Sequence, residues 1–226
     1  PSERPVQQVK VDEFWIDKCE VTNYQYLQVV AQHPFLRKST FPRKYHDGNY
    51  LKNWKGDLMP ELRSELKPVT NVSWYAARHY CSFVGKRLAS EAEWEMAAAV
   101  EPPEGGLKKN QTKRRYPWGN SPPTSDRANL DSLLRGCVEV GAFPAGDSAF
   151  GCRQMVGNIW EWTDSSFNPF PGFVADYPYR EYSVPWFGDR KVLKGGAWAT
   201  CSSLAYNTYR NFFQPHRNDI FAGFRT

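Results

Sequence analysis

Apolar residues recur at helical spacing in three places, each announced by a cap. Thr22 and Gln25 make a capping box ahead of Tyr24, Tyr26, Leu27 and Val30, predicting a helix that His33-Pro34 ends. Ser73 caps a second helix over Trp74–Val84, with Gly85 just past its end. Ser90 and Glu93 form another capping box, opening a third helix through Trp94, Met96 and Ala97–Ala99 that halts before Pro102-Pro103. The other patterned stretches are short and alternate. Val6–Ile16 predicts one or two strands, and Val138–Phe143, Ile159–Thr163, Lys191–Gly195 and Phe221–Phe224 predict short ones. Phe35–Lys67 is basic, aromatic and proline-punctuated without a period; it reads as a surface excursion holding at most a short helix near Tyr50–Trp54. Helices come early and strands late, so the expected class is α+β, one irregular domain over residues 1–226.

Composition narrows this. Nine Trp, twelve Tyr and fourteen Phe exclude a disordered chain, and seventeen Pro with sixteen Gly favour loops over long helices. No apolar run reaches the roughly 20 residues of a membrane span. The net charge of +5 is mild. Its densest cluster, Lys108-Lys109 with Lys113-Arg114-Arg115, reads as a solvated loop, because nucleic-acid footprints carry a stronger basic bias. Cys19, Cys81, Cys137, Cys152 and Cys201 are odd in number and form no CxxC pair, which argues against structural zinc and for reduced thiols in a cytoplasmic protein.

The most informative stretch runs from Gly151 to Thr163. Gly157-Asn158 reads as a tight turn, since both residues tolerate positive φ. The strand that follows sets Glu161 between Trp160 and Trp162. A buried carboxylate there needs a cation or hydrogen-bond donors. Two readings stay open: Glu161 meets an arginine or backbone amides, or it joins Gln154 and the turn carbonyls around a hard cation.

These landmarks, in order, resemble the formylglycine-generating-enzyme-like family, the sulfatase-modifying-factor domains. The matching pieces are Phe14-Trp15-Ile16-Asp17 to Asn23, Val72-Ser73-Trp74, Gly85-Lys86-Arg87-Leu88, Ser90 to Glu95, and Tyr116-Pro117-Trp118-Gly119. Gly157-Asn158-Ile159-Trp160-Glu161-Trp162, Gly195-Gly196-Ala197-Trp198 and Gly223-Phe224-Arg225 complete them. The resemblance implies an elaborated C-type-lectin-like fold. The family's usual first strand is missing upstream of Glu3–Val9, which implies a part of a longer bacterial chain with a linked upstream domain. It also implies Ca²⁺ on Gln154, Gly157, Ile159 and Glu161, and a weaker second calcium site starting at Asn129 and Leu130.

The family's copper-dependent oxidation uses two thiolates, whose positions fall here on Thr200 and Ala205, with Cys201 one residue off. No copper is therefore expected, and no formylglycine generation. The C-terminal third is similar to the ergothioneine and selenoneine synthase branch, through Asn168 to Phe173, Tyr179 to Ser183, Pro185 to Gly188 and Tyr209 to Arg225. That branch joins a histidine betaine to a sulfur or selenium donor at iron held by three histidines. His33, His46, His79 and His216 lack ligand spacing, so iron is not expected on this chain alone. His79 reads as a packed core histidine. A pocket of Trp198, Tyr206, Arg210, Asn211, Arg217 and Asp219, with Phe212 as a wall and Arg225 nearby, would suit a zwitterionic small molecule. The same arginines could instead tie loops together. The functional expectation is a non-catalytic domain binding such a molecule or a protein. The alternative is the substrate-binding half of an iron-dependent C–S or C–Se bond-forming enzyme whose metal domain lies outside this chain.

Overall fold

The three capped helices form where the sequence places them. In the computed structural model, which describes residues 3–101, 113–175, 177 and 180–226, helix α1 is Asn23–Gln32, α2 is Trp74–Phe83 and α3 is Glu91–Ala99. Both capping boxes close: Thr22 Oγ1 accepts from the Gln25 amide at 3.1 Å, and Glu93 Oε2 accepts from the Ser90 amide at 2.7 Å. Gly85 past α2 takes φ +69°, the left-handed turn that ends a helix.

Among the described residues four short strands make one sheet in the order β3-β2-β1-β4, where β1 is Trp160–Ser166, β2 Lys191–Lys194, β3 Asn211–Phe213 and β4 Ala222–Gly223. β1, β2 and β3 are antiparallel, whereas β1 and β4 run parallel with Trp160 opposite Ala222. A one-turn helix, α4 (Arg180–Ser183), precedes β2.

The sequence missed β3 and α4, and three of its strands are corrected. Residues 6–16 form no strand: Val6 and Val9 are 91% and 63% exposed, and the segment is held by single contacts, with Gln7 Nε2 donating to the Pro171 carbonyl at 3.0 Å, Phe14 and Ile16 packed on a core cluster, and Asp17 N–H on the Thr226 carbonyl. Residues 138–143 form none either, because the Val138 amide donates to Asn158 Oδ1 at 2.9 Å and Phe143 turns at φ +60°. The last strand shrinks to two residues. The short helix near Tyr50–Trp54 is a turn broken by Leu51 at φ +47°.

The 35–67 stretch is not a surface excursion throughout. Leu36, Phe41, Tyr50, Leu51 and Trp54 are buried in the main core with Tyr26, Val30, Trp162 and Phe224. Tyr26 stacks on Tyr80 at 5.3 Å, its hydroxyl meets that of Tyr50 at 2.7 Å, and Trp54 Nε1 donates to Asn23 Oδ1 at 2.9 Å. Each buried polar tip thus has a partner, as aromatic burial requires. His79 is packed among Phe35, Phe41 and Tyr45. Lys108 and Lys109 lie outside the described residues; Lys113 pairs with Glu95, and Arg115 lies over Tyr206.

Candidate functional site

The Gly157-Asn158 turn forms as expected, at φ +91° and +66°. Glycine is required at the first position because a Cβ there would meet the Asn129 carbonyl oxygen at 2.7 Å. Asn158 is fully buried, and its carboxamide ties three segments: it accepts from the Val138 amide and from Asn129 Nδ2, and donates to Glu20 Oε1 at 3.2 Å.

Glu161 meets an arginine. Arg225 donates Nη2–H to Oε1 and Nε–H to Oε2, both at 2.7 Å, and Trp94 Nε1 adds a bond to Oε2 at 2.9 Å. The other Arg225 N–H groups donate to the carbonyls of Asp17, Lys18 and Arg153, so all five are engaged. The pair is 1% exposed on each side. As the charged member of a calcium shell, Glu161 therefore does not fit; the guanidinium already neutralises it. The Gly157 carbonyl also accepts the Ile159 amide. Gln154 is different. Its Nε2 donates to the Glu139 carbonyl, while its Oε1 is buried without a partner, as is Asn129 Oδ1. Glu20 Oε2 is a third such oxygen. Burial pushes the Glu20 carboxyl up to about 8 against the pull of Arg225, and Glu161 adds to the rise.

The six residues expected to line a zwitterion pocket divide. Arg210 lies inside, 4% exposed: its Nε donates to Glu91 Oε1 at 2.7 Å, and its guanidinium stacks over Phe170 at 4.3 Å. It ties the 167–170 loop to α3, the loop-tying role left open by the sequence. Phe212 stacks on Phe167 at 4.0 Å, and Asn211 Oδ1 accepts the Phe212 amide. Arg217 lies over Phe213 and pairs with Asp219. Trp198 and Tyr206 belong to half-buried aromatic contacts on the β1–β4 side. Trp198 meets Phe221 at 4.7 Å, Tyr206 meets Tyr209 edge-on at 5.6 Å, and Tyr209 meets Trp160 at 5.9 Å. Trp160 N–H donates to the Phe221 carbonyl, which joins the two groups of rings. The sequence missed Trp160, Tyr209 and Phe221 as members; alternation along β1 was the available signal for Trp160.

Thr200 and Ala205 do come together, both about Gly196, where an added Cβ would lie 3.5 Å from each side chain. Neither carries sulfur, and Cys201 is exposed beside Ser203. Among the described residues no group of three His, Cys, Asp or Glu side chains could hold a metal ion. No helix among them is long and apolar enough to cross a membrane.

The chain is 37% identical to the hercynine oxygenase of Mycobacterium tuberculosis over 99% of its own length, and spans 54% of that protein. It is 31% identical to the inactive C-alpha-formylglycine-generating enzyme 2 of Bos taurus, covering 87% of this chain and 69% of that one. Among solved structures, Treponema denticola variable protein 1 superposes with a TM-score of 0.59 at 20% identity, over 93% of this chain and 82% of that chain. That likeness concerns the fold, which is of the formylglycine-generating-enzyme, C-type-lectin-like kind the resemblance implied. The model of the sulfatase-modifying factor enzyme 1-like domain matches residues 1–226, and the chain belongs to that family.

Proposed function

We propose that this domain is the substrate-binding part of a hercynine-oxygenase-type protein. It would hold a betaine zwitterion against the rings of Trp198, Phe221, Trp160, Tyr209 and Tyr206, while the metal ligands come from residues outside those described. The observation that carries the reading is this set of half-buried rings, whose faces suit a quaternary ammonium. Hercynine, a histidine betaine, has such a group, and kinship with hercynine oxygenases across nearly the whole chain supports the direction. The chain spans about half the length of those relatives, so bond formation belongs to the larger protein.

The non-catalytic reading agrees on what this domain contributes: it binds and orients, and no thiolate pair or histidine triad among its described residues reacts. A titration of hercynine into the chain, followed by tryptophan fluorescence, tests both. Saturable quenching that Trp198→Ala abolishes is expected. A folded chain that shows no saturable change at millimolar hercynine would refute the proposal.

Calcium at the turn is proposed in a reduced form. The buried, partnerless Gln154 Oε1 supports the first site without Glu161, and Asn129 Oδ1, likewise partnerless, supports the weaker second one.

A further inference from the structure

The 47–53 loop and the 217–221 loop are tied to each other by one carboxylate. Asp47 Oδ2 accepts from the amides of Asn218 (2.9 Å) and Asp219 (3.2 Å), and Oδ1 accepts from the Asn49 amide at 2.9 Å. These bonds hold the Asp47 carboxyl down at about 2, against the opposing effect of burial. From the third side, Asn71 Nδ2 donates to the Asn218 carbonyl at 2.7 Å, and the Leu51 amide donates to the Asn71 carbonyl at 2.9 Å. Leu51 and Asn71 both sit at positive φ, +47° and +57°, a conformation non-glycine residues adopt when the surroundings over-determine it.

This bracing leaves a hollow of about 540 Å³ lined by Asn49, Lys52, Asn53, Asn71, Asp219 and Phe221. Its chemistry is specific. Lys52 is exposed and has no ion-pair partner among the described residues. Asn53 Oδ1 is a shielded acceptor without a partner, and the broad last torsion of asparagine lets it turn into the hollow. Asp219 is paired with Arg217, yet its side chain is 43% exposed and each oxygen can accept again. Phe221 presents its ring beside Trp198.

One unpaired cation beside two carboxylates does not suit a phosphate or a polyanion, whose charge Asp47 and Asp219 would repel. A metal ion fits no better, with the Lys52 ammonium in the lining and Asp47 saturated by amides. A neutral polyol would leave Lys52 without a role. We propose that the hollow binds a small α-amino acid, its carboxylate on Lys52 and its ammonium group between Asn53 Oδ1 and the Asp219 carboxylate, with Phe221 against its side chain. This deepens the reading of a domain that binds small zwitterions, and it assigns a role to the 47–53 loop. The site would be filled separately from the betaine on the rings, meeting it only at Phe221.

The test is calorimetric titration of the chain with L-alanine, L-serine, L-glutamate and L-histidine, with acetate and glucose as comparison probes. At least one amino acid should give saturable heat, stronger than acetate. Lys52→Met should weaken it about tenfold, the loss of one charge-assisted hydrogen bond. Lys52 is exposed, so an unchanged melting temperature shows the variant folded. Trp198→Ala should abolish hercynine quenching and leave amino-acid binding in place, which separates failure of this site from failure of the ring site. No saturable heat with any amino acid would overturn the proposal, and so would glucose binding that Lys52→Met leaves unchanged.

Discussion

Glu20 gives the sharpest pH prediction. The residue is 1% exposed, its carboxyl accepts from Asn158, and among the described residues no cation donates to it, since all Arg225 N–H groups are engaged elsewhere. With the folded pKa raised to about 8, the native state keeps a proton that the unfolded chain loses near its ordinary value of 4.5. The native state therefore binds more protons across that window, and stability falls as pH rises through it. The total penalty at pH 8 is on the order of 4 kcal/mol, of which about a third develops between pH 6.5 and 8. Few other shifted groups act in this interval. Asp47 and Glu93, held at about 2, lose their contribution only in acid, and Cys81 and Cys137, pushed up to about 12, act above pH 9. His46 and His79 are lowered by burial and give a small slope of opposite sign, confined to the acid end. Glu20→Gln removes the proton. Its new amide needs an acceptor where Oε2 had none, at a cost of about 1–3 kcal/mol, so the absolute stability can move either way. The slope cannot. Urea denaturation at pH 6.5, 7.25 and 8 should show a falling wild type and a nearly flat variant. Parallel slopes would refute a proton on Glu20.

Arg225→Met should destabilise by roughly 3–5 kcal/mol, since it strands Glu161 in the core, and the double variant with Glu161→Met should lose less than the sum of the single changes; chemical denaturation reads both. Gly157→Ala places a Cβ against the Asn129 carbonyl at positive φ and should cost at least about 1–2 kcal/mol, a fall of several degrees in Tm by calorimetry. For the reduced calcium proposal, chelator should lower the melting temperature of the wild type and leave that of Gln154→Leu unmoved. Equal response in both chains would exclude Gln154 as a ligand.

The sequence by itself determined the three helices, because caps and apolar spacing are local: Thr22, Ser73 and Ser90 each bond the amide three residues on, in the first turn of their helix. It also determined the positive-φ turn at Gly157-Asn158 and, through ordered motifs, the family. Tertiary structure decided what each polar group meets. Whether Glu161 faces an ion or Arg225 depends on residues 64 positions apart, with β1 and β4 paired in parallel, a pairing no local pattern encodes. Arg210 and Arg217 look alike in sequence; one is drawn inside by Glu91 on α3 and the other stays at the surface with Asp219. The 35–67 stretch shows no period because its buried rings reach the core singly, from turns, without a repeating element to space them. Long-range closure, not local propensity, made it a wall of the domain.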